Sequence, residues 1–194
     1  MDPLVLAAMA KWPQVPAVYG WLRLTARGQW LIRGEPIELP ALRAFIDRNY
    51  AADAQGRWYF QNGPQRVFVS LDVAPWIWRV LPASGGSTMV AHTGAPVHEL
   101  RGAWLDSRGR IFVLTELGIG LVDSTDAGQV MEALASGGGA VVAAQLDALV
   151  AGRAAALSLR GARLGLNTTV DLLPLDADAV AQQFGFVPQP QPQP

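Results

Sequence analysis

The stretch Trp58-Tyr-Phe-Gln-Asn-Gly-Pro-Gln-Arg-Val-Phe-Val-Ser-Leu71 reads as a β-hairpin. Asn62-Gly63 is a turn pair that tolerates positive φ, the condition a tight hairpin sets at its centre. Residues 57–61 lead into the turn and residues 65–71 leave it. From Arg66 to Leu71 alternate residues on one side are apolar, as in a strand with one buried face.

The same grammar extends upstream. Residues 18–24 and 29–33 flank Thr25-Ala-Arg-Gly28 and predict another hairpin. Between the two hairpins a short helix is expected from Pro40 to Asn49. Proline suits a first helical turn, and Leu42, Phe45 and Ile46 share one face. Downstream, Pro75 restarts the chain as a strand over 76–81. A glycine loop, Ser84 to Ser87, precedes a meander over 88–92, 97–105, 110–117 and 119–122. Asp123-Ser-Thr-Asp126 is a capping cluster for a helix ending before Gly137. A further helix spans 140–151, with Val142, Leu146, Leu149 and Val150 inward and Gly152 as its stop. Strands over 157–159 and 163–173 follow, and Asp176 opens a last helix to Phe184, closed by Gly185.

These elements predict an α+β protein, mainly antiparallel, with two small β-rich lobes and a few peripheral helices. The lobes fall at 1–72 and 73–136, followed by a helix and strand extension at 137–187. The end, Pro188 to Pro194, alternates proline with glutamine; it can form neither ladder nor helix and is expected as a disordered tail.

Three turns echo one another: Thr25-Ala-Arg-Gly-Gln-Trp30, Asp53-Ala-Gln-Gly-Arg-Trp58 and Asp106-Ser-Arg-Gly-Arg-Ile111. The plainer reading is three similar hairpin turns, each with a glycine at its left-handed position. The sharper reading is a duplicated β-lobe. The unequal spacings rule out a regular repeat array.

Composition narrows the function classes. Of 194 residues 51% are hydrophobic and 16% charged, a globular balance. The net charge of -1 and pI of about 6.1 point to neither nucleic acid nor an anionic membrane. Cysteine is absent, which removes disulfides, thiolate metal sites and cysteine nucleophiles. Residues 1–10 are too short for a signal peptide, and no apolar run approaches the roughly 18 residues of a membrane span. The expected location is the cytoplasm.

No motif announces catalysis. His92 and His98 lack a carboxylate at a metal-ligand spacing, so no metal site is expected. Gly118-Ile-Gly-Leu-Val-Asp123 lacks the third glycine of a dinucleotide fingerprint, and Gly137-Gly-Gly139 lacks the lysine of a P-loop and reads as a linker. No nucleophile elbow is present and no close acid pair stands out, so no catalytic residue and no cofactor is expected. Seven tryptophans are many for this length. Trp76 and Trp78, two apart on a strand, face the same way and could offer a stacking platform, although ordinary sheet packing is the simpler reading. The tip of the opening hairpin concentrates amides and an arginine suited to a polar small molecule or a phosphate, beside the simpler reading of a solvated turn.

Residues Gly28-x-Trp30, Gly34-Glu-Pro-Ile37, Pro40-Ala-Leu42, Phe45, Gly56-Arg-Trp-Tyr59, Pro64-x-x-Val67-x-Val69 and Ala74-Pro75 occur in an order that resembles a bacterial family of domains of unknown function. Trp12-Pro-x-Val-Pro, Tyr19-Gly-Trp-Leu and Phe60-Gln-Asn-Gly-Pro-Gln-Arg-Val resemble a sister family, also uncharacterised. The resemblance covers residues 10 to 120. It implies a duplicated β-rich core whose second lobe is similar to pleckstrin-homology domains. It also implies a ligand cleft between lobes, a nucleotide-like ligand and a signalling role. After residue 123 the chain departs from that pattern.

The first expectation is therefore a non-catalytic small-molecule-binding or sensory protein. Its candidate ligand residues are Arg48, Asn49, Tyr50, Gln61, Asn62, Gln65, Arg66, Trp76 and His92, with Arg66 pairing an anion and Trp76 stacking on a ring. The alternative is a protein-interaction module using exposed strand edges and the Pro/Gln tail. An enzyme is the least supported reading; it would need His92 or His98 to meet Asp72 or Glu99.

Overall fold

The computed structural model describes residues 1–12, 14–84, 86–137 and 140–192. Gly85 of the glycine loop, Gly138 and Gly139 of the expected linker, and the last two residues of the tail lie outside the described residues. The fold is α+β and rich in strand. It divides into two units: Met1–Pro75 with Phe184–Pro194, and Trp76–Gln183.

The first unit opens with helix α1 (Pro3–Lys11), followed by strands β1 (Val18–Leu24), β2 (Trp30–Ile32) and β3 (Glu35–Pro36). Helix α2 (Pro40–Arg48) leads to β4 (Tyr50–Ala52), β5 (Trp58–Asn62) and β6 (Gln65–Leu71). The six strands lie in the order β3-β2-β1-β6-β5-β4. All neighbours are antiparallel except β1 and β6. Leu22, Leu24, Trp30, Ile46, Val69 and Leu71 form the core here. Helix α1 has no counterpart among the expected elements. Pro3 starts it at a position where a missing N–H does no harm, but only Val5 is buried along its length. Its apolar residues follow no clear amphipathic period.

The second unit holds the hairpin β7 (Trp76–Ala83) and β8 (Gly86–Ala91), then the meander β9 (Leu100–Asp106), β10 (Ile111–Thr115) and β11 (Gly118–Val122). Short helices α3 (Ala127–Glu132), α4 (Ala143–Val150) and α5 (Val180–Phe184) alternate with β12 (Leu134–Ser136), β13 (Leu157–Arg160) and β14 (Thr169–Leu175). The eight strands run β12-β13-β14-β9-β10-β11-β7-β8. The strand expected from Arg163 instead begins at Thr169. A 3-10 turn, Gly161–Leu164, comes first, and Gly165 follows at φ +72. A side chain at Gly165 would crowd Ser87 and Thr88.

The glycines of Gly118-Ile-Gly120 serve tryptophans. A Cβ on Gly120 would sit 2.4 Å from Nε1 of Trp78, which donates to the Val113 carbonyl at 2.8 Å. This is the local reason for a glycine pair that resembles, in sequence, the start of a nucleotide motif.

The two units share a plan. Each has a hairpin (β1-β2 or β7-β8) and a three-stranded meander (β4-β5-β6 or β9-β10-β11). In each, the last meander strand pairs in parallel with the first hairpin strand. The echoing turns join equivalent strands. In one, Asp53 Oδ1 accepts from the N–H groups of Gln55 and Arg57, and its Oδ2 from Arg57 Nε at 2.7 Å. In the other, Asp106 does the same with Arg108, Arg110 and Arg110 Nε, also at 2.7 Å. Gly56 and Gly109 supply φ +74 and +72. The Thr25 turn has similar bonds through its hydroxyl but joins β1 to β2, a different place in the plan. The Asp53 and Asp106 turns thus occupy matching places in the two units, and the Thr25 turn does not.

The segment after Phe184 runs back along the first sheet. The Leu71 N–H donates to the Pro188 carbonyl at 2.8 Å, Val187 bridges Arg57, and Pro190 is buried. The proline-glutamine pattern forbids a ladder, but the Pro188 carbonyl remains an acceptor and ties the start of this segment to β6. No helix among the described residues is long and apolar enough to cross a membrane.

Candidate functional site

The β5-β6 hairpin places side chains on two faces of the first sheet. Gln61 stands opposite Arg66 and Tyr59 opposite Phe68, so these four share one face. Asn62, opposite Gln65, belongs with Phe60 and Val67 on the other face, toward α2. The sequence grouped the hairpin tip as one cluster; the strand period splits it.

The first face carries a cleft of about 430 Å³. Tyr19, Phe68, Gln61, Arg57 and Arg66 line it from the sheet, and Met9 and Trp12 from α1 and the residue after it. Tyr19 stacks on Phe68 with ring centroids 4.6 Å apart. Arg57 lies over Phe68 at 4.7 Å, with its charge met by Asp53. Burial alone would raise the Asp53 carboxyl, but the hydrogen bonds from Arg57 and Gln55 hold it below the usual range. Arg66 lies over the Tyr59 ring at 4.1 Å and has no carboxylate partner among the described residues. The cleft therefore carries one uncompensated cation on an aromatic bed.

Gln61 is the second feature. It is 1% exposed, and its Nε2 donates to the Gly63 carbonyl at 2.9 Å. Its Oε1 is buried with no hydrogen-bond partner among the described residues. A buried carbonyl left without a donor costs about 1–3 kcal/mol.

The second unit provides an internal comparison. Its hairpin turns at the same place, with Thr115 opposite Gly118 as Asn62 is opposite Gln65. The residues that correspond to Gln61 and Arg66 are then Leu114 and Ile119, a pair across the same rung. At that rung the second sheet carries apolar residues where the first carries a glutamine and an arginine.

The other candidates lie elsewhere. Arg48 and Asn49, at the end of α2, hold Asp2 and so anchor α1. Arg48 Nε reaches Asp2 Oδ1 at 3.2 Å, Asn49 Nδ2 reaches Oδ2 at 3.2 Å, and the Asp2 N–H donates to Asn49 Oδ1 at 2.8 Å. The hydrogen bonds from Arg48 and Asn49 hold the Asp2 carboxyl below its ordinary value. Tyr50 is buried, donates to the Pro75 carbonyl at 3.0 Å, and has its phenol pushed well up by that burial. Trp76 belongs to the second unit, where it stacks on Trp78 and donates to the Leu117 carbonyl at 2.8 Å. His92, in the same unit, is half-buried and accepts from the Ile77 N–H through Nδ1 at 3.3 Å. Burial pushes its pKa down to about 3. Asp72 pairs with Arg23, and Glu99 with Arg101. Among the described residues no group of three or more metal-ligating side chains gathers.

Tyr19, Phe68, Arg57 and Tyr59 are the residues that sequence reasoning passed over. The register was legible once Gln61 was placed opposite Arg66, and it brings Tyr59 and Phe68 with it. The parallel pairing of β1 with β6, which brings in Tyr19, leaves no local signal.

A family model described as "Protein of unknown function (DUF2946)" matches residues 1–191. The chain belongs to this family, DUF2944. Among curated proteins none matches it. This DUF2944 member is similar in fold to a DUF1285 family protein from Silicibacter pomeroyi DSS-3, with a TM-score of 0.50 and 15% identity over 90% of this chain and 97% of that one. A second DUF1285 family protein, from Shewanella baltica OS155, aligns with a TM-score of 0.41 and 17% identity, covering 55% of this chain and 86% of that one. The chain is thus a member of a family of unknown function, as the sequence resemblance anticipates.

Proposed function

We propose that this chain is a non-catalytic binding protein for a small anionic molecule, held in the cleft on the α1 face of the first sheet. The observation that carries this reading is the pair Gln61 and Arg66. One leaves a buried acceptor without a donor, the other a cation without an acid, and the second sheet fills the same rung with leucine and isoleucine. An anion on Arg66 gains a charge-assisted bond, and its fork suits carboxylate or phosphate. Once the Gln61 side chain turns its amide toward the cleft, a ligand N–H or O–H supplies the donor that its buried oxygen lacks in the ligand-free chain. The stacked rings of Tyr19 and Phe68 give apolar surface for the rest of the molecule, and the cleft volume is that of a small-molecule site.

The test is a thermal-shift screen of small carboxylates and phosphates, with and without hydrogen-bond donors. A ligand at 100 times its Kd adds about 2.7 kcal/mol of stability. The expected result is a hit that vanishes in Arg66→Ile, a change that installs the residue the second sheet already uses. A hit unchanged in Arg66→Ile places binding elsewhere and ends this reading.

A further inference from the structure

The cleft that holds Arg66 has one loosely held wall. Its floor is sheet: Tyr19 stands on β1, Gln61 on β5, and Arg66 and Phe68 on β6, and ladder bonds fix all three strands. The facing wall is α1, through Met9, with Trp12 just beyond the helix. Of the nine residues of α1 only Val5 is buried, while Leu4 is 86% and Leu6 52% exposed.

What holds this helix is concentrated at its first end. Among the described residues, every hydrogen bond from residues 2–12 to the rest of the chain is made by Asp2. Its partners are the exposed Arg48 and the fully buried Asn49. Asn49 holds Asp2 from both sides of its amide, through the Asp2 N–H and the Asp2 carboxylate. On its main chain the same Asn49 accepts the Gln61 N–H at 2.9 Å. The latch on α1 and the buried glutamine of the cleft are thus joined through one residue.

Gln61 is buried, so a ligand on Arg66 meets its amide only when a wall of the cleft gives way. The strands cannot shift without breaking their ladders. Helix α1 can leave by releasing one residue and one buried valine. Local opening of this kind draws on the elements with the fewest buried contacts. We propose that α1 is a lid on the cleft, latched at Asp2 by Arg48 and Asn49, and that release of the latch opens the path to Gln61. The inference rests on the binding reading above for what passes the lid.

The chain has no cysteine, so one introduced thiol reports one place. Gln61→Cys in the full chain is reacted with two methanethiosulfonates of similar size, one ending in sulfonate and one in trimethylammonium, with and without Asp2→Ala. Asn62→Cys, exposed and on the other face, is the control. The thiol at 61 should react far more slowly than the control. Asp2→Ala should speed both reagents there roughly tenfold, as loss of bonds to a charged group implies, and leave the control rate unchanged. Arg48→Ala, which keeps the Asn49 bonds, should give a smaller acceleration. Tyr19→Cys makes the same comparison from the β1 side of the cleft should Gln61→Cys fail to fold. A rate inside the cleft that Asp2→Ala leaves unchanged, or that rises only as far as urea melts show the whole protein destabilised, would overturn the lid. The charge of the reagent tests the binding reading separately. Sulfonate should outpace trimethylammonium, and Arg66→Ile should remove that preference. Equal rates for the two reagents, with the acceleration by Asp2→Ala intact, would end the anion reading and uphold the lid.

Discussion

Replacing Gln61 by leucine should stabilise the ligand-free protein. The glutamine Oε1 is buried without a donor, and removing such a group recovers about 1–3 kcal/mol. Against this stands the lost bond from Nε2 to the Gly63 carbonyl, worth about 0.5–1.5 kcal/mol. Leucine is of similar size and is what the second sheet carries at this rung, as Leu114. The balance is a gain of about 1 kcal/mol, which for a chain of this length raises the melting temperature by about 2–4 °C. Urea denaturation of wild type and Gln61→Leu, followed by tryptophan fluorescence, measures it. A residue kept for binding at the expense of stability gives this sign. A loss of 1 kcal/mol or more in the variant would show that Gln61 is part of the folding core, and the reasoning from its orphaned oxygen would fail.

The remaining predictions concern the fold. Stability should fall between pH 6.5 and about pH 3 through His92: its folded pKa of about 3 lies below the ordinary 6.5, so the unfolded chain takes up a proton in that window that the native chain does not. The full linkage is about 5 kcal/mol at most, and His92→Asn, which keeps an acceptor for the Ile77 N–H, should flatten the denaturation profile over that range. Below about pH 4 a second loss should appear from Asp126. Burial tends to raise its carboxyl, but hydrogen bonds from Arg79 at 2.7 Å and the Val80 N–H at 3.0 Å hold it low; Asp126→Asn should reduce the slope there while lowering stability at pH 7. Gly56→Ala should destabilise by about 3 kcal/mol or more in urea melts, since its Cβ would sit 2.1 Å from the Gly185 carbonyl oxygen at φ +74.

Much of this architecture was visible along the chain. Asn62-Gly63, Gly28, Gly56 and Gly109 mark turns because their backbone angles admit few residues, and the valine-rich alternation after Arg66 fixes a strand. The echo of Asp53 and Asp106 marked two turns of the same construction, visible because a carboxylate that caps a turn and pairs with its own arginine leaves a five-residue signature. Less was visible of what the strands meet. The parallel pairing of β1 with β6 depends on contacts across some fifty residues, and nothing near Tyr19 announces Phe68 as its neighbour. Helix α1 escaped for a different reason: with only Val5 buried, its sequence carries no period to read. Of the candidate residues, Gln61 and Arg66 face one cleft because they are opposite each other on a ladder. Asn62 and Gln65, adjacent in sequence, face away for the same reason. A list of polar residues at a hairpin tip cannot make that separation until the register is known.

The central claim is that Gln61 and Arg66 together receive a small anion. Side-chain NMR tests it most directly. The Gln61 amide and Arg66 Nε–Hε resonances, assigned by loss in Gln61→Leu and Arg66→Ile, are followed as the strongest stabilising anion is added. The account predicts that both shift and saturate together with the Kd of the thermal response. Saturable binding that leaves both resonances in place would contradict it.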